Sequence, residues 1–475
     1  MSKRLIVVIA LAFVVGMAFT AFAEVQNVKV SGDITVMGVA RNNLSLKTAD
    51  ITATTQGFSR KITALISNVR VKVEADLTDN VSTVVRLLNE RVWGAGNQLN
   101  AAGTTTVANT TEIDLDLAYV TLKEFLNPHL TLSIGRQEMK FGNGLVIGAA
   151  STNGIGTGHG TTDKRGLPGS LDDLSSSKAF DAMRATLNFD PLVLDVVYSK
   201  INENSVAIED DINLYGVNAG FKIDDNLNAE VYLFSRNRDT GSIGAITSSE
   251  TLNTTGARLA FTGIENMILG IEGAFQFGEH QANTTLYPND VASAPDANKN
   301  RQVRAFALQA IANMAMPSKK YTPSVGGSYT FLSGDKARST SDSYTGWDPM
   351  FEDQAGGTLF NKILGYSNAQ LLNLNGSVKP MEDLKVALNY YYIRLNNSFT
   401  GNNLINFSGV AGDPTYAVKA GKKYLGSEID LGVTYDYTED VQFGLNTGIF
   451  MPGNVFVAGN NKKASQVVGS MKVTF

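Results

Sequence analysis

The sequence predicts an all-β chain folded as a transmembrane, antiparallel up-and-down β-barrel of about 18 strands, within a range of roughly 16 to 20. Three observations predict it. Apolar and polar residues alternate along stretch after stretch, the connections between stretches are short and long in turn, and the pattern runs on to a C-terminal phenylalanine, Phe475. Period-two alternation places the two sets of residues on opposite faces of a strand. Tight turns on one rim with long loops on the other are the pattern of a barrel whose chain ends share the periplasmic rim.

The N-terminus fits that destination. Lys3 and Arg4 supply a positive region, residues 5–20 an apolar one, and Ala21-Phe22-Ala23 a small-residue cleavage site. This reads as a signal peptide over 1–23, leaving 24–475 as a single barrel domain exported through the periplasm to the bacterial outer membrane. Beyond Ala23 no window approaches the roughly 20 apolar residues that a spanning helix needs. A membrane location therefore requires a closed barrel, because lipid cannot satisfy free backbone groups. The mean hydropathy of −0.05 suits strands in which every second residue faces water.

The first strand sets Val28, Val30, Gly32, Ile34 and Val36 against Lys29, Ser31, Asp33 and Thr35. The second sets Val69, Val71 and Val73 against Asn68, Arg70, Lys72 and Glu74, and a turn at 78–80 leads to a third near 81–91. Further strands are expected near 112–122, 130–140, 180–189, 192–201, 212–223, 227–236, 256–262, 267–278, 302–314, 321–332, 368–378 and 384–394. The last three fall near 428–437, 441–450 and 465–475. In 130–140 the parity conflicts, since Leu130, Leu132 and Ile134 share a face with Arg136; that predicts a bulge or an early exit from the membrane. Long connections at 141–179, 279–301, 333–367 and 396–425 belong to the extracellular rim, and 141–179 and 333–367 are expected to narrow the entrance. Tyrosines near strand ends (Tyr390, Tyr391, Tyr392, Tyr435, Tyr437) read as strand packing and as an interfacial girdle. A soluble β-sandwich has shorter strands and long loops at both ends.

Composition narrows the functions. Setting aside Lys3 and Arg4 leaves 38 of the 40 basic residues against 45 acidic ones, a net charge of −7, with no basic block. Nucleic acid is not an expected partner. Cysteine is absent, which removes disulfides, thiolate metal sites and a cysteine nucleophile. The glycine run at 153–160 lacks the following helix of a phosphate-cradling loop and reads as a flexible extracellular segment. The three histidines, His129, His159 and His280, fall in or beside connections, away from any obvious nucleophile, so no enzyme and no cofactor is expected.

A barrel this wide leaves an aqueous lumen. The polar parity lines it, which nominates Arg70, Lys72, Glu74, Asp114, Asp116, Arg184, Arg258, Glu272, Arg304, Lys385, Glu428 and Asp430 as pore-lining. In one reading these ions pair laterally and keep the lumen wet; in the other, the arginines form a ladder that guides an anionic solute through bidentate contacts. The alternating last strand ending on Phe475 resembles the signal read by the barrel-assembly machinery, an expected partner together with outer-membrane lipid and hydrophilic solutes or anionic oligosaccharides.

Several short segments carry a resemblance: Gly135-Arg136-Gln137, Phe141-Gly142, Phe180-Asp181, Ser333-Gly334-Asp335, Trp347-Asp348-Pro349-Met350-Phe351, Gly426-Ser427-Glu428-Ile429-Asp430 and Phe450-Met451-Pro452-Gly453. In order and spacing they resemble the alginate-export porins. The resemblance implies an 18-stranded barrel whose arginine-rich constriction passes a polyuronate outward. The expected function is a passive channel for small or oligomeric hydrophilic solutes, with anionic polysaccharide as the solute the resemblance implies. The alternatives are a general diffusion porin and a plugged barrel with a structural or binding role.

Overall fold

Each long strand is hydrogen-bonded to the next long strand in sequence, and the first is bonded to the last, so the barrel sheet has no free edge. The computed structural model describes residues 27–47, 61–94, 113–150, 167, 171–203, 211–239, 249–280, 301–335, 343–354, 356–399, 401, 404–405 and 415–475. The proposed signal peptide and the glycine run at 153–160 lie outside them.

The barrel is a closed, antiparallel sheet of 18 strands. In order they are β1 (Asn27–Asn42), β2 (Lys61–Thr78), β3 (Val81–Val92), β4 (Asp114–Leu122), β5 (Leu130–Gln137) and β6 (Phe180–Asn188). Then follow β7 (Leu192–Asn202), β8 (Ile212–Lys222), β9 (Leu227–Arg238), β10 (Glu250–Phe261), β11 (Met267–His280) and β12 (Arg301–Ala315). The last six are β13 (Ser324–Leu332), β14 (Ala369–Met381), β15 (Leu384–Leu395), β16 (Tyr424–Asp436), β17 (Val441–Pro452) and β18 (Ala464–Thr474). Closure pairs Asp33 with Thr474 through Asn42 with Ser465, and Phe475 exchanges both backbone bonds with Gly32, at 2.8 and 3.0 Å.

The side-chain alternation follows the sequence. On β16, Ile429, Leu431 and Tyr435 are exposed on the outer face, while Glu428 and Asp430 are buried on the inner one. On β15, Leu388, Tyr390 and Tyr392 point outward and Tyr391 inward. Exposed apolar side chains such as Leu233, Ile271, Phe275, Leu372 and Leu445 continue this outer band around the barrel.

Three departures from the sequence expectation have physical causes. β2 and β10 start earlier than expected, at Lys61 and Glu250, because the ladder with the preceding strand continues above the apolar band. There the inner residues Ile66 and Leu252 are buried by loop residues. β13 starts later than expected because Tyr321 and Thr322 take positive φ values of 67 and 38°, which a strand cannot continue. In β5 the parity conflict falls at the end of the strand: Gly135 takes φ 124°, and Arg136, still in the ladder opposite Ala118 and Asp181, pairs with the Asp181 carboxylate at 3.2 Å. Among the described residues no helix is long and apolar enough to cross a membrane.

The closing seam is tight. A Cβ at Gly32 would lie 2.5 Å from the Arg70 carbonyl oxygen and 2.7 Å from the Phe475 ring, whereas one at Gly469, also on the outer face, would meet nothing within 4 Å. Gly32→Val should therefore cost about 1–3 kcal/mol and lower the temperature at which the folded band disappears in semi-native electrophoresis, while Gly469→Val leaves it unchanged.

Candidate functional site: a lumen narrowed by two inserted loops

The connection between β5 and β6 and the one between β13 and β14 run back into the barrel. Their described residues touch inward side chains on strands far apart around the wall, which only an inserted segment can do. Gly142 N–H donates to Glu230 on β9 (2.7 Å) and Asn143 N–H to Glu272 on β11 (2.7 Å). Asp173 accepts from Arg41 on β1 at 2.5 and 2.8 Å. The Leu359 and Phe360 N–H groups both donate to Glu428 on β16, at 2.7 Å each.

The two loops also hold each other. Phe351 N–H donates to the Val146 carbonyl (3.0 Å), Gly148 N–H to Phe351 (2.7 Å), and Asp353 N–H to Gly144 (2.8 Å). Around this strap Leu145, Ile147, Trp347, Met350, Phe351, Leu359 and Phe360 form an apolar core with wall residues such as Leu214, Phe234, Leu332 and Phe450. The strands are therefore apolar on both faces in their upper halves. That explains why Tyr232 and Phe234 alternate with the equally apolar Val231 and Leu233.

Buried ion pairs anchor the loops. Arg236 on β9 donates to Asp348 at 2.6 and 3.2 Å and to Glu250 at 2.7 Å, and its side chain is 1% exposed. Gln276 closes the same clamp, donating to the Asp348 carbonyl and accepting its N–H. Arg301 pairs with Asp335 (2.8 Å), and Lys362 with Asp172 (2.6 Å) across the two loops. Asp353 takes both Lys178 (2.6 Å) and Lys140 (3.0 Å), which hold its carboxyl below the usual range against the cost of burial. Its neighbour Glu352 behaves oppositely: burial pushes its carboxyl up to about 8.

The residues nominated from sequence divide into four groups. Most of the ions are paired along the wall: Arg70 with Asp33 (2.8 Å), Lys72 with Glu74 (3.1 Å), Asp116 with Arg86 (2.6 Å), Arg184 with Asp195 (2.8 Å), and Arg258 with Glu230 at 3.9 Å. Asp114 shares their inward parity on β4. Glu272, Glu428 and Asp430 bind the loops: Glu272 also accepts the Tyr232 hydroxyl (2.8 Å), and Asp430 accepts Thr358 N–H (3.1 Å) and Oγ1 (3.0 Å). Lys385 alone of the nominated cations lines an open space in the lumen, with no ion-pair partner among the described residues. Arg304 corrects the expectation. It alternates with the exposed Phe306 and Leu308 on the outer face of β12, while Ala305 and Ala307 point inward; polarity alone misassigned its parity near the rim.

Sequence reasoning missed Arg41, Arg236 and Arg301, the buried anchors. The available signal was inner-face apolarity beside them, such as Tyr232 and Phe234 leading to Arg236, which marks wall that is covered from inside.

Two spaces between the described loop residues and the wall lie along one side. A cavity of about 540 Å³ is bounded by loop residues Asp173, Thr358 and Asn361 and by wall residues including Lys385, Asn446 and Gln466. A second, of about 220 Å³, lies against β12 to β15, and Tyr391 lines both.

A closed 18-strand barrel with inserted extracellular loops defines the class as an outer-membrane porin-type barrel. The chain belongs to the alginate export family, whose model matches residues 46–470. No curated protein matches the sequence. Similar solved structures include Acinetobacter baumannii OccAB1, at 12% identity and TM-score 0.54, covering 96% of this chain and 99% of that one. Pseudomonas aeruginosa OpdQ (12%, TM-score 0.52, covering 95% and 99%) and Pseudomonas aeruginosa OccK8 (11%, TM-score 0.52, covering 95% and 99%) are comparable. At such identities the likeness concerns the fold.

Two outcomes follow for the loops. Glu428→Gln turns an acceptor into a donor beside the Phe360 N–H, costs about 1.5–3 kcal/mol, and should raise single-channel conductance and its noise. The second concerns pH. Glu352 binds its proton more tightly in the docked loop than in a free one, where its ordinary value is 4.5. The contribution of Glu352 to docking is thus fully present below about pH 4.5 and is lost as the pH rises towards 8. Protease cleavage within 343–368 should increase between pH 5 and 9, and Glu352→Gln should flatten that rise.

Proposed function

We propose that the protein is a passive, cofactor-free outer-membrane channel for hydrophilic solutes, with its path along the β12 to β18 side of the lumen past Tyr391. The observation that carries this reading is the pair of spaces of about 220 and 540 Å³, one with a polar and one with a mixed lining, that meet at Tyr391 between the inserted loops and the wall.

In this channel Arg70, Lys72, Glu74, Asp116, Arg184 and Arg258 act as a neutralised lining, because fixed counter-charges on the same or an adjacent strand cancel most of their field beyond a few ångströms, and Asp114 lies beside them on the inner face. Glu272, Glu428 and Asp430 shape the path by positioning the loops, and Lys385 is the cation that faces a passing solute. The barrel-assembly machinery remains the proposed partner of the Phe475 strand, and 1–23 the proposed export signal.

Family membership supports a second reading, a conduit for an anionic polysaccharide such as a polyuronate. The paired arginines favour weaker selectivity. The test is the reversal potential of the refolded protein in a planar bilayer under a salt gradient, with and without oligouronate. Open current with a reversal potential near zero and no block is expected. Strong anion preference with block by the oligouronate would replace this reading with the second, and the absence of current from folded protein would sink both.

A further inference from the structure

The smaller cavity has a chemistry of its own. Its polar lining is dominated by carboxamides: Asn143 and Gln354 from the loops, Gln309 and Asn313 from β12, and Asn373 and Asn375 from β14. No charged side chain lines it. The amides are ordered by one another: Gln309 donates to Gln354 (2.8 Å), Gln354 to the Asn143 carbonyl (2.6 Å), and Asn375 to Asn373 (2.9 Å). Each carboxamide offers two donors and an acceptor with two lone pairs, so these bonds leave further positions in each row unused. Asn313 makes no side-chain hydrogen bond among the described residues.

We propose that this cavity is a binding subsite for an uncharged, polyhydroxylated unit, one ring of a neutral saccharide; the inference rests on the channel reading above and names its solute class. Hydroxyl groups donate and accept at once, which matches a wall of carboxamides held in fixed orientations. Tyr391 and Tyr366 supply the aromatic surface against which the apolar face of a sugar ring packs. The volume of about 220 Å³ holds roughly seven waters at about 30 Å³ each, room for one ring and little more. A carboxylate entering here would find amide donors but no cation in the lining, so the loss of its hydration would be only partly offset. The subsite thus discriminates against a uronate in the smaller of the two spaces along the proposed path.

The test uses the full-length protein in detergent, titrated calorimetrically with maltotriose and with trigalacturonate, beside planar-bilayer recordings of the same preparations. Wild type should bind maltotriose with a millimolar or tighter Kd and show concentration-dependent current block, and trigalacturonate should bind at least tenfold more weakly. Asn313→Ala removes an amide that holds nothing in the fold, and Asn375→Asp adds a charge without changing size; each should weaken maltotriose at least tenfold. Absence of maltotriose binding to folded wild type, equal binding by both variants, or tighter binding of trigalacturonate would overturn the subsite. Maltotriose binding without any ion current would leave the subsite standing and overturn only the channel reading.

Discussion

Everything in the lumen depends on one constraint: loop backbone brought inside a barrel must find partners for its polar groups, or the insertion costs more than its apolar core returns. The wall meets that demand with carboxylates. Glu230, Glu272, Glu428 and Asp430 project inward from three strands, and each accepts a main-chain N–H of an inserted loop at 2.7–3.1 Å. Arg236 meets the complementary demand of the buried Asp348. Charge on the inner wall is thus in large part a fastening for the loops, and the space left over is a consequence of where those fastenings lie.

This changes the meaning of the lumenal arginines. A ladder of arginines attracts anions only if its charges are unmatched, yet Arg70, Arg86, Arg184 and Arg258 each face a carboxylate on a neighbouring strand. Cross-strand opposition of this kind also relieves the repulsion that stacked like charges, such as Asp114 with Asp116 or Arg70 with Lys72, would otherwise create. The open path is lined instead by amides, hydroxyls, apolar side chains, Lys385 and the already engaged carboxylates Asp173 and Asp430. The family's signature segments fit the same division. Gly142 lets Glu272 approach, since a Cβ there would lie 2.5 Å from its Oε1, Asp348 to Phe351 form the clamped strap, and Glu428 and Asp430 receive it. They specify how the loops are held more directly than what passes.

The barrel was legible in the sequence because membrane strands obey a simple rule: lipid on one side and water on the other enforce period two. The alternation of Ile429, Leu431 and Tyr435 with Glu428 and Asp430 translates directly into outer and inner faces. Legibility failed where that rule lapses. Above the apolar band β2 and β10 continue as strands covered by loops, so burial on both sides erased the contrast. Arg304 sits at the rim, where an outward cation meets water or head groups and polarity no longer reports the face. The partners of Glu428 could not be read at all, because they are backbone groups about 70 residues away and leave no side-chain pattern.

The central claim is that the inserted loop is a fixed part of the wall. The cysteine-free chain permits a clean test. A Cβ at Gly448 on β17 would lie 2.2 Å from Thr358 Oγ1, close enough for the pair Thr358→Cys and Gly448→Cys to be bridged with little movement. Single-channel conductance of this variant should be the same with the disulfide formed and reduced, and the bond should form readily on mild oxidation. A bond that fails to form in the folded protein, or a conductance that rises on reduction, would contradict the account by showing that the loop leaves its seat.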